Sequence, residues 1–321
     1  MRKKKFNNEN STFSKKRKRK ILTSENFVLT KRGPAAKVLF GIVSVIFTIY
    51  ALSLILPFGF LILNSLKEPS EYINGLINGT IFKLPKSPQF LNYIKVFVEM
   101  KIPNTIGNDI SFLQMTFNSI WYTAAGVFCG ITASALVAYC LAKYTFKLRG
   151  ILYGIAIVTL TIPIVGSAGA SFKLFYDLKL YNTPLFVVVT SFNGFSFSFL
   201  ILYAFFKSIS WEYAEAVFID GGGNFTAFTR VMLPQAFPPM VTLIIMSFIG
   251  AWNDYSTPLL YLPDYPTIAS GIYEIETHLK RGGNYPMYFA SLIISIIPVI
   301  IIYIAFSDKI MKNFTVGGLK G

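Results

Sequence analysis

Long stretches without charged residues alternate with short charged segments along this chain of 321 residues. Six stretches contain no Asp, Glu, Lys or Arg, and each is 23 to 33 residues long. An α-helix needs about 20 residues to cross the hydrocarbon core of a bilayer. The pattern therefore predicts an all-α polytopic membrane protein with six transmembrane helices. The stretches are 38–66, 110–142, 150–172, 180–206, 231–253 and 282–307.

The charged segments divide the chain into regions. In order, these are a basic N-terminal arm (1–37), the first transmembrane helix (38–66), a loop (67–109), a transmembrane core (110–310) and a C-terminal tail (311–321). The loop is long enough to hold a short amphipathic helix, which we expect around Tyr93–Val98. Pro163, followed by Gly166 and Gly169, is expected to bend or loosen the third transmembrane helix.

Composition supports a membrane location. Hydrophobic residues make up 53% of the chain and charged residues only 14%, whereas an ordinary soluble domain is about 25% charged. A soluble fold of this length could not bury so much apolar surface. The composition therefore excludes an ordinary soluble enzyme, a disordered chain and a disulfide scaffold.

The basic residues predict the orientation in the membrane. Of the 30 Lys and Arg residues, 21 fall on the side that carries both termini, and 13 of these lie in residues 1–37. Cytoplasmic segments are enriched in basic residues, so we expect cytoplasmic termini and an extracellular loop at 67–109. The arm could also contact anionic membrane lipid. We expect no nucleic-acid binding, because no recognition fold accompanies the charge.

The segment between the fourth and fifth predicted spans, residues 208–234, is the most informative part of the sequence. A helix that starts near Ser210 should run to about Ile219 and stop at Gly221–Gly223, where positive φ is accessible. A second short helix should follow, and Pro234 separates it from the next span. The predicted product is a rigid helix-turn-helix that is suited to transmitting force to another protein.

The spacing within this segment carries a family resemblance. Glu215-Ala216-Val217 is followed after three residues by Gly221 and after nine more by Val231-x-Leu233-Pro234. This resembles the EAA loop of importer-type ABC permeases, Glu-Ala-Ala-x3-Gly-x9-Ile-x-Leu-Pro. The departures are mild, with Val217 in place of Ala and Val231 in place of Ile. We call residues 208–234 the EAA segment.

Further markers extend the resemblance over nearly the whole chain after the basic arm. They narrow it to carbohydrate permeases of the maltose and multiple-sugar type, and the chain is most like the smaller, six-span maltose permease. The markers are Asn118-Ser119, Ala133–Tyr139, Phe146–Gly150, Asn182-Thr183, Trp252-Asn253-Asp254 and Val316–Gly321.

The resemblance implies a type I ABC importer permease fold with a cytoplasmic coupling helix. It also implies a heterodimer with a second homologous permease, a cytoplasmic ABC ATPase dimer that binds ATP and Mg²⁺, and an extracellular solute-binding protein. We expect no catalytic residue, cofactor or metal on this chain itself. The residues implied in ATPase coupling are Glu215, Ala216, Val217, Asp220, Gly221, Leu233 and Pro234, with Glu215 meeting a basic group on the ATPase.

Polar residues within the predicted spans are a second set of candidates. Such groups are costly in lipid and tend to face the bundle or a water path, although Ser and Asn also bind helices together. The run from Trp252 combines an aromatic face with hydrogen-bonding groups, as sugar recognition requires, but Asp254 and Pro258 could instead end the helix. The candidates for the substrate path are Asn118, Ser119, Trp252, Asn253, Asp254 and Tyr255.

These observations predict a permease subunit of an ATP-driven importer for a sugar or oligosaccharide in the plasma membrane of a bacterium. One alternative is a permease for a non-sugar solute such as a polyamine or a phosphonate. Others are a secondary transporter that acts alone and a membrane-embedded enzyme. The expected charged relays and paired carboxylates of these last two classes are not evident in the sequence, and dependence on a separate ATPase distinguishes them from an importer.

Overall fold

The computed structural model describes residues 34–316 apart from 104, 106, 163–165 and 280–282. The basic arm up to residue 33 and the last five residues of the tail therefore lie outside the described residues. The chain divides into two compact units, residues 1–59 and 60–321.

The described chain is mostly helical. The helices are α1 (Pro34–Ser65), α2 (Pro69–Ile77), α3 (Leu91–Glu99), α4 (Phe112–Lys143), α5 (Arg149–Thr161), α6 (Ala168–Asp177), α7 (Leu185–Ser191), α8 (Phe197–Ser208), α9 (Glu212–Ile219), α10 (Asn224–Thr226), α11 (Leu233–Gln235), α12 (Phe237–Trp252), α13 (Ser256–Tyr261), α14 (Ile268–Leu279) and α15 (Tyr285–Val316). A π-helix over Ala227–Met232 connects α10 to α11. The expected short helix in the loop 67–109 is confirmed as α3.

The loop also contains a small β-hairpin, which corrects the all-α expectation. Strands β1 (Lys101–Pro103) and β2 (Asp109–Ser111) pair antiparallel, with Ile102 opposite Ile110. Both isoleucines are buried between exposed or half-buried neighbours. The hairpin pairs backbone groups of its two strands while it buries these two side chains.

Three described helices are long and apolar enough to cross a membrane, namely Val38–Ser65, Phe112–Lys143 and Tyr285–Phe306. They correspond to the first, second and sixth predicted stretches. The fifth stretch corresponds to Asn224–Gln235 and Phe237–Trp252, which meet at 73° and could form one bent span. Six transmembrane helices therefore remain a prediction.

The third and fourth predicted stretches are each interrupted. In the third, α5 ends at Thr161, and Gly166 has a φ of +83° before α6 begins; the expected bend at Pro163 lies outside the described residues. In the fourth, the Asn193 side chain accepts a hydrogen bond of 3.0 Å from the Phe195 backbone N–H. This local turn competes with helix formation and ends α7.

In the first unit, the described residues form most of α1. Its side chains from Val38 to Phe58 are mostly apolar and exposed, a surface that is suited to lipid.

At the other end of the chain, α15 continues to Val316. The helix therefore extends past residue 310, where the sequence analysis began the C-terminal tail.

The second unit is organised around α4, which packs against α7, α8, α12 and α14. Helix α15 packs against α3, α12 and α14. A hydrophobic cluster that includes Tyr139, Phe206 and Met232 joins α4 and α8 to the EAA segment. The EAA segment is therefore part of the packed helical core and is not a free loop.

Candidate functional site: the EAA segment and a polar cavity

Helix α9 forms the first half of the EAA segment. The Ser210 hydroxyl accepts a hydrogen bond of 3.3 Å from the Glu212 backbone N–H, which satisfies one of the free amides at the helix start. The helix ends at Ile219, as the sequence predicts. Its inner face is anchored by Ala214, which is fully buried, and by Trp211, whose ring packs against Tyr144 at 5.8 Å.

A glycine turn ends α9. Gly221 has a φ of +80°, and its N–H donates to the Phe218 carbonyl at 3.1 Å while the Gly222 N–H donates to the Val217 carbonyl at 2.8 Å. These two bonds form a Schellman motif, with Asp220 as the last half-helical residue. A Cβ added to Gly222 would lie 2.5 Å from Val217 Cγ1, so the turn also requires a residue without a side chain at this position.

The other face of α9 is open to solvent. The residues on this face recur at helical spacing and include the carboxylates of Glu212 and Glu215. They also include the apolar side chain of Ile219, which is 86% exposed. Phe225, just beyond the glycine turn, is 77% exposed. We call Glu212, Glu215, Ala216, Ile219 and Phe225 the α9 surface. Exposed apolar side chains beside charges are typical of a protein-binding site.

The structure separates the seven residues implied in ATPase coupling into two groups. Five are exposed, and two are half-buried against the helical core. The exposed residues are Glu215, Ala216, Asp220, Gly221 and Pro234, and the half-buried residues are Val217 and Leu233.

Two residues that the sequence analysis missed tie the EAA segment to the end of α4. The Lys143 ammonium group donates a hydrogen bond to the Ile209 carbonyl, just before α9. The Tyr144 hydroxyl donates to Asn224 Oδ1 at 3.1 Å, just after the glycine turn. The segment is thus held to one helix on both sides of α9, and a displacement of α9 would act directly on α4.

The second half of the EAA segment leads into α12. Phe228, in the π-helix, packs its ring 4.8 Å from the ring of Tyr139 on α4. Pro234 lacks a backbone N–H, and the 73° bend between Asn224–Gln235 and Phe237–Trp252 follows it. Leu233 and Pro234 therefore lie directly before the bend, where they influence the direction in which α12 leaves.

A polar cavity of about 540 Å³ lies deeper in the second unit, between α4, the break between α7 and α8, and the α12–α13 junction. Its wall is rich in hydroxyl and amide groups and in glycine. The lining residues are Tyr122, Gly126, Val127, Gly130, Ile131, Ser191, Asn193, Ser196, Ser198, Ser247, Gly250, Ala251, Asn253, Asp254, Tyr255 and Ser256.

Three of the candidate substrate-path residues lie on this wall: Asn253, Asp254 and Tyr255. The Asp254 carboxylate accepts hydrogen bonds from the Tyr122 hydroxyl at 2.9 Å and from the Ser256 hydroxyl and the Thr257 backbone N–H, both at 3.1 Å. Asp254 therefore both lines the cavity and joins α4 to the start of α13.

The other three candidates lie away from the cavity wall. Asn118 donates to the Pro266 carbonyl at 3.0 Å. Ser119 is buried and accepts a bond of 2.7 Å from the Ile268 N–H. The Trp252 indole donates to the Ser295 carbonyl at 3.0 Å. These bonds connect α4 to the start of α14, and α12 to α15.

The break between α7 and α8 supplies the part of the cavity wall that is formed by Ser191, Asn193, Ser196 and Ser198. The Ser196 hydroxyl caps α8 by accepting from the Phe199 N–H, and it bonds the Ser134 hydroxyl of α4 at 2.8 Å. Gly126 and Gly130, one turn apart on α4, lie opposite Ser191. Residues at positions i and i+4 lie on the same face of a helix. The two glycines in the sequence therefore indicated that this face of α4 has no side chains to fill the space beside it.

A separate cluster of hydrogen bonds around Asp264 joins three loops on the side of the hairpin. The Asp264 carboxylate accepts from the backbone N–H of Thr105 at 3.0 Å, from the Thr105 hydroxyl, and from the Asn182 amide at 2.5 Å. Asn182 in turn accepts from the Asp264 N–H at 3.1 Å. The hydrogen bonds from Thr105 are the largest influence, and they hold the pKa of Asp264 below its ordinary value of 3.8.

Residues 126–314, more than half of the chain, match the family model for the inner membrane component of binding-protein-dependent transport systems. The chain belongs to this permease family. The matched range contains the whole EAA segment and most of the cavity wall, so both features of this permease lie within the part that defines the family.

Curated relatives match the permease over most of their length. It is 28% identical over 86% of the chain to the arabinooligosaccharides transport system permease protein AraQ of Halalkalibacterium halodurans, of which 94% is covered. It is 25% identical over 84% of the chain to the diacetylchitobiose uptake system permease protein NgcG of Streptomyces coelicolor, of which 85% is covered.

A solved structure supports the fold of the permease. A bacterial ABC transporter involved in the import of the acidic polysaccharide alginate contains a chain that superposes with a TM-score of 0.70. The match covers 86% of this permease and 98% of that chain, at 22% identity. This permease therefore shares the fold of that transporter chain.

Proposed function

We propose that this permease is the membrane subunit of an ATP-binding-cassette importer that carries a sugar or oligosaccharide into the cytoplasm of a bacterium. The observation that carries the proposal is the α9 surface, an exposed acidic and apolar helix face whose opposite side is anchored in the core through Ala214. Such a helix can receive force from a bound ATPase and pass it to α4 and α8. The names of the relatives, which concern arabinooligosaccharides and diacetylchitobiose, favour a saccharide as the substrate.

The complex would contain four kinds of protein. A second, homologous permease would complete the membrane channel, and an extracellular solute-binding protein would deliver the substrate. A cytoplasmic ABC ATPase dimer would bind ATP and Mg²⁺ and dock on the α9 surface, with Glu215 facing a basic group. This permease would be embedded in membrane lipid with six spans and with both termini in the cytoplasm, as the distribution of its basic residues favours.

In this proposal, closure of the ATPase dimer moves α9 inward, toward the centre of the complex. Because Lys143 and Tyr144 tie the EAA segment to the end of α4, α4 would tilt with it. Tilting α4 would in turn displace the α12–α13 junction through the bond between Tyr122 and Asp254. The polar cavity between these elements would thereby open to one side of the membrane and then to the other.

The test is to purify the tagged chain from its own membranes in a mild detergent and to identify the associated proteins by mass spectrometry. We expect a second permease and an ABC ATPase in stoichiometric amounts, and a binding protein that binds arabinotriose, diacetylchitobiose or maltotriose. Recovery of the chain alone, even after mild crosslinking, would contradict the importer assignment. An associated binding protein that binds only a polyamine or a phosphonate would contradict the saccharide assignment.

A further inference from the structure

Two tyrosine rings stack beside the polar cavity. Tyr255 comes from the α12–α13 junction and Tyr273 from α14, and their ring centroids are 4.8 Å apart with an angle of 22° between the planes. Tyr255 is 46% exposed and Tyr273 is 42% exposed. Each ring therefore packs against the other and leaves much of its surface open.

The two rings line different cavities. Tyr255 lies on the wall of the polar cavity, and Tyr273 lies on the wall of a second cavity of about 520 Å³ near the hairpin. The tyrosine pair therefore stands at the boundary between the two cavities. The second cavity is lined by Pro103, Thr105, Pro258, Leu259, Leu262, Pro263, Pro266, Ser270, Tyr273, Glu274 and Thr277.

A neighbouring aromatic pair shows what a packing contact looks like in this chain. Phe248 and Trp252 also stack, with centroids 5.6 Å apart, but Trp252 is only 5% exposed and its indole N–H donates to a backbone carbonyl. The pair of Tyr255 and Tyr273 is nearly half exposed instead. Open aromatic faces beside polar groups suit a ligand that itself has one apolar side and one polar side.

We propose that Tyr255 and Tyr273 form a saccharide-stacking subsite through which a sugar ring passes from the second cavity into the polar cavity. This inference rests on the proposed function. The apolar C–H face of a sugar ring matches an open tyrosine face, and its hydroxyl edge matches the polar groups beside each ring. Asn253 and Ser256 lie on the polar-cavity side, and Thr277 lies on the other side.

The experiment measures sugar transported per ATP hydrolysed. The purified complex in proteoliposomes is supplied with its binding protein loaded with radiolabelled arabinotriose, diacetylchitobiose or maltotriose. Tyr255→Leu and Tyr273→Leu remove the stacking surfaces, whereas Tyr255→Phe and Tyr273→Phe keep them. Tyr265→Leu is the matched control, because Tyr265 makes an aromatic contact with Trp121 and is not among the residues that line either cavity.

We expect the transported sugar per ATP to fall about fivefold or more in both Leu variants, in line with the loss of an aromatic stacking contact. The ATPase activity stimulated by the loaded binding protein should persist, and the Phe variants and Tyr265→Leu should stay within about twofold of the original chain. A general defect in folding or assembly, unlike the loss of a subsite, would lower transport and ATPase activity together in the variant that carries it.

The possible outcomes separate the subsite from the proposed function. If the original chain transports one of the three saccharides and the Leu variants keep the same sugar-to-ATP ratio, the importer assignment stands and the subsite is overturned. A parallel loss of ATPase activity in the Leu variants would also overturn it. If the original complex transports none of the saccharides, the saccharide assignment fails and the subsite fails with it.

Discussion

The Tyr122 hydroxyl lies 2.9 Å from Asp254 Oδ2, and this hydrogen bond joins α4 to a residue two positions before the start of α13. The same carboxylate accepts from the Ser256 hydroxyl and the Thr257 N–H. Asp254 thus uses three donors from two elements to fix the polar end of the α12–α13 junction. A hydrogen bond to a charged group typically contributes more to stability than one between neutral groups.

Replacing Tyr122 by Phe should destabilise this junction by about 1.5–3 kcal/mol, because one charge-assisted bond is lost. Asp254→Ala should be more damaging than Tyr122→Phe, since it leaves the Tyr122 hydroxyl and the Thr257 N–H without their acceptor. Asp254→Asn, which keeps an acceptor, should lie between the original chain and Asp254→Ala. The measurement is the apparent melting temperature of the purified complex in detergent. If all three variants melted at the same temperature as the original chain, the role of this bond would be contradicted.

Glu215→Ala should weaken ATPase docking by about 2–5 kcal/mol if the carboxylate meets a basic group in a buried contact. Glu212→Ala is the matched control, because both carboxylates lie on the exposed face of α9 and Glu212 is outside the matched motif. The amount of ATPase recovered with the tagged chain, together with sugar uptake by cells, measures the effect. Equal losses in the two variants, or no loss in Glu215→Ala, would contradict a specific role for Glu215.

Gly222→Ala should disrupt the turn after α9, because its Cβ would lie 2.5 Å from Val217 Cγ1 and 3.0 Å from the Val217 carbonyl oxygen. Gly223→Ala is a sharp control, since a Cβ there meets nothing within 4 Å. We expect Gly222→Ala to reduce ATPase recovery severalfold while Gly223→Ala retains it. If both variants recovered as much ATPase as the original chain, α9 could be displaced without affecting docking.

The sequence predicted most of the local structure of the EAA segment. The glycines after Ile219 require the helix to end there, and this requirement depends only on neighbouring residues. The π-helix that follows was not predicted, because hydrophobic spacing does not distinguish hydrogen bonds to i−5 from those to i−4. The attachment of Asn224 to Tyr144, 80 residues earlier, also depends on tertiary structure.

The membrane spans show a similar limit. The absence of charge located the long helices correctly, but Asn193 and Gly194 are uncharged and their turn did not interrupt the fourth hydrophobic stretch. For the cavity, the run Asn253 to Tyr255 lies on the wall, and its role in the substrate path stays a prediction. Ser119 and Trp252 find partners 149 and 43 residues away, and no spacing rule in the sequence predicts such contacts.

Ser119→Ala tests whether this serine acts in packing or in the substrate path. The Ile268 N–H would lose its acceptor in a buried position, which typically costs about 1–3 kcal/mol of stability. Thr123→Val is the matched control on the same helix, because Thr123 Oγ1 is the buried side-chain atom that has no hydrogen-bond partner among the described residues. We expect a lower melting temperature for Ser119→Ala only, with an unchanged ratio of transported sugar to ATP; a changed ratio at full stability would favour a substrate contact instead.

The cluster around Asp264 should make the three loops that it joins sensitive to acid. Because hydrogen bonds lower the pKa of Asp264 in the folded chain, its stabilisation is present above the unfolded pKa and is lost as pH falls through the lower folded value. As the pH falls from about 5 through the unfolded value of about 3.9 and on through the lower folded value, amide hydrogen exchange in the peptide that contains Thr105 should rise relative to its intrinsic rate.

Asp264→Asn supplies the reference for this titration, because the amide cannot ionise but has nearly the same shape. We expect the peptide that contains Thr105 to be better protected in the original chain than in the variant at about pH 5, and the difference to shrink as the pH falls through the lowered folded pKa of Asp264. A difference that persists unchanged at the lower pH would mean that ionisation of Asp264 does not hold Thr105 and Asn182 together.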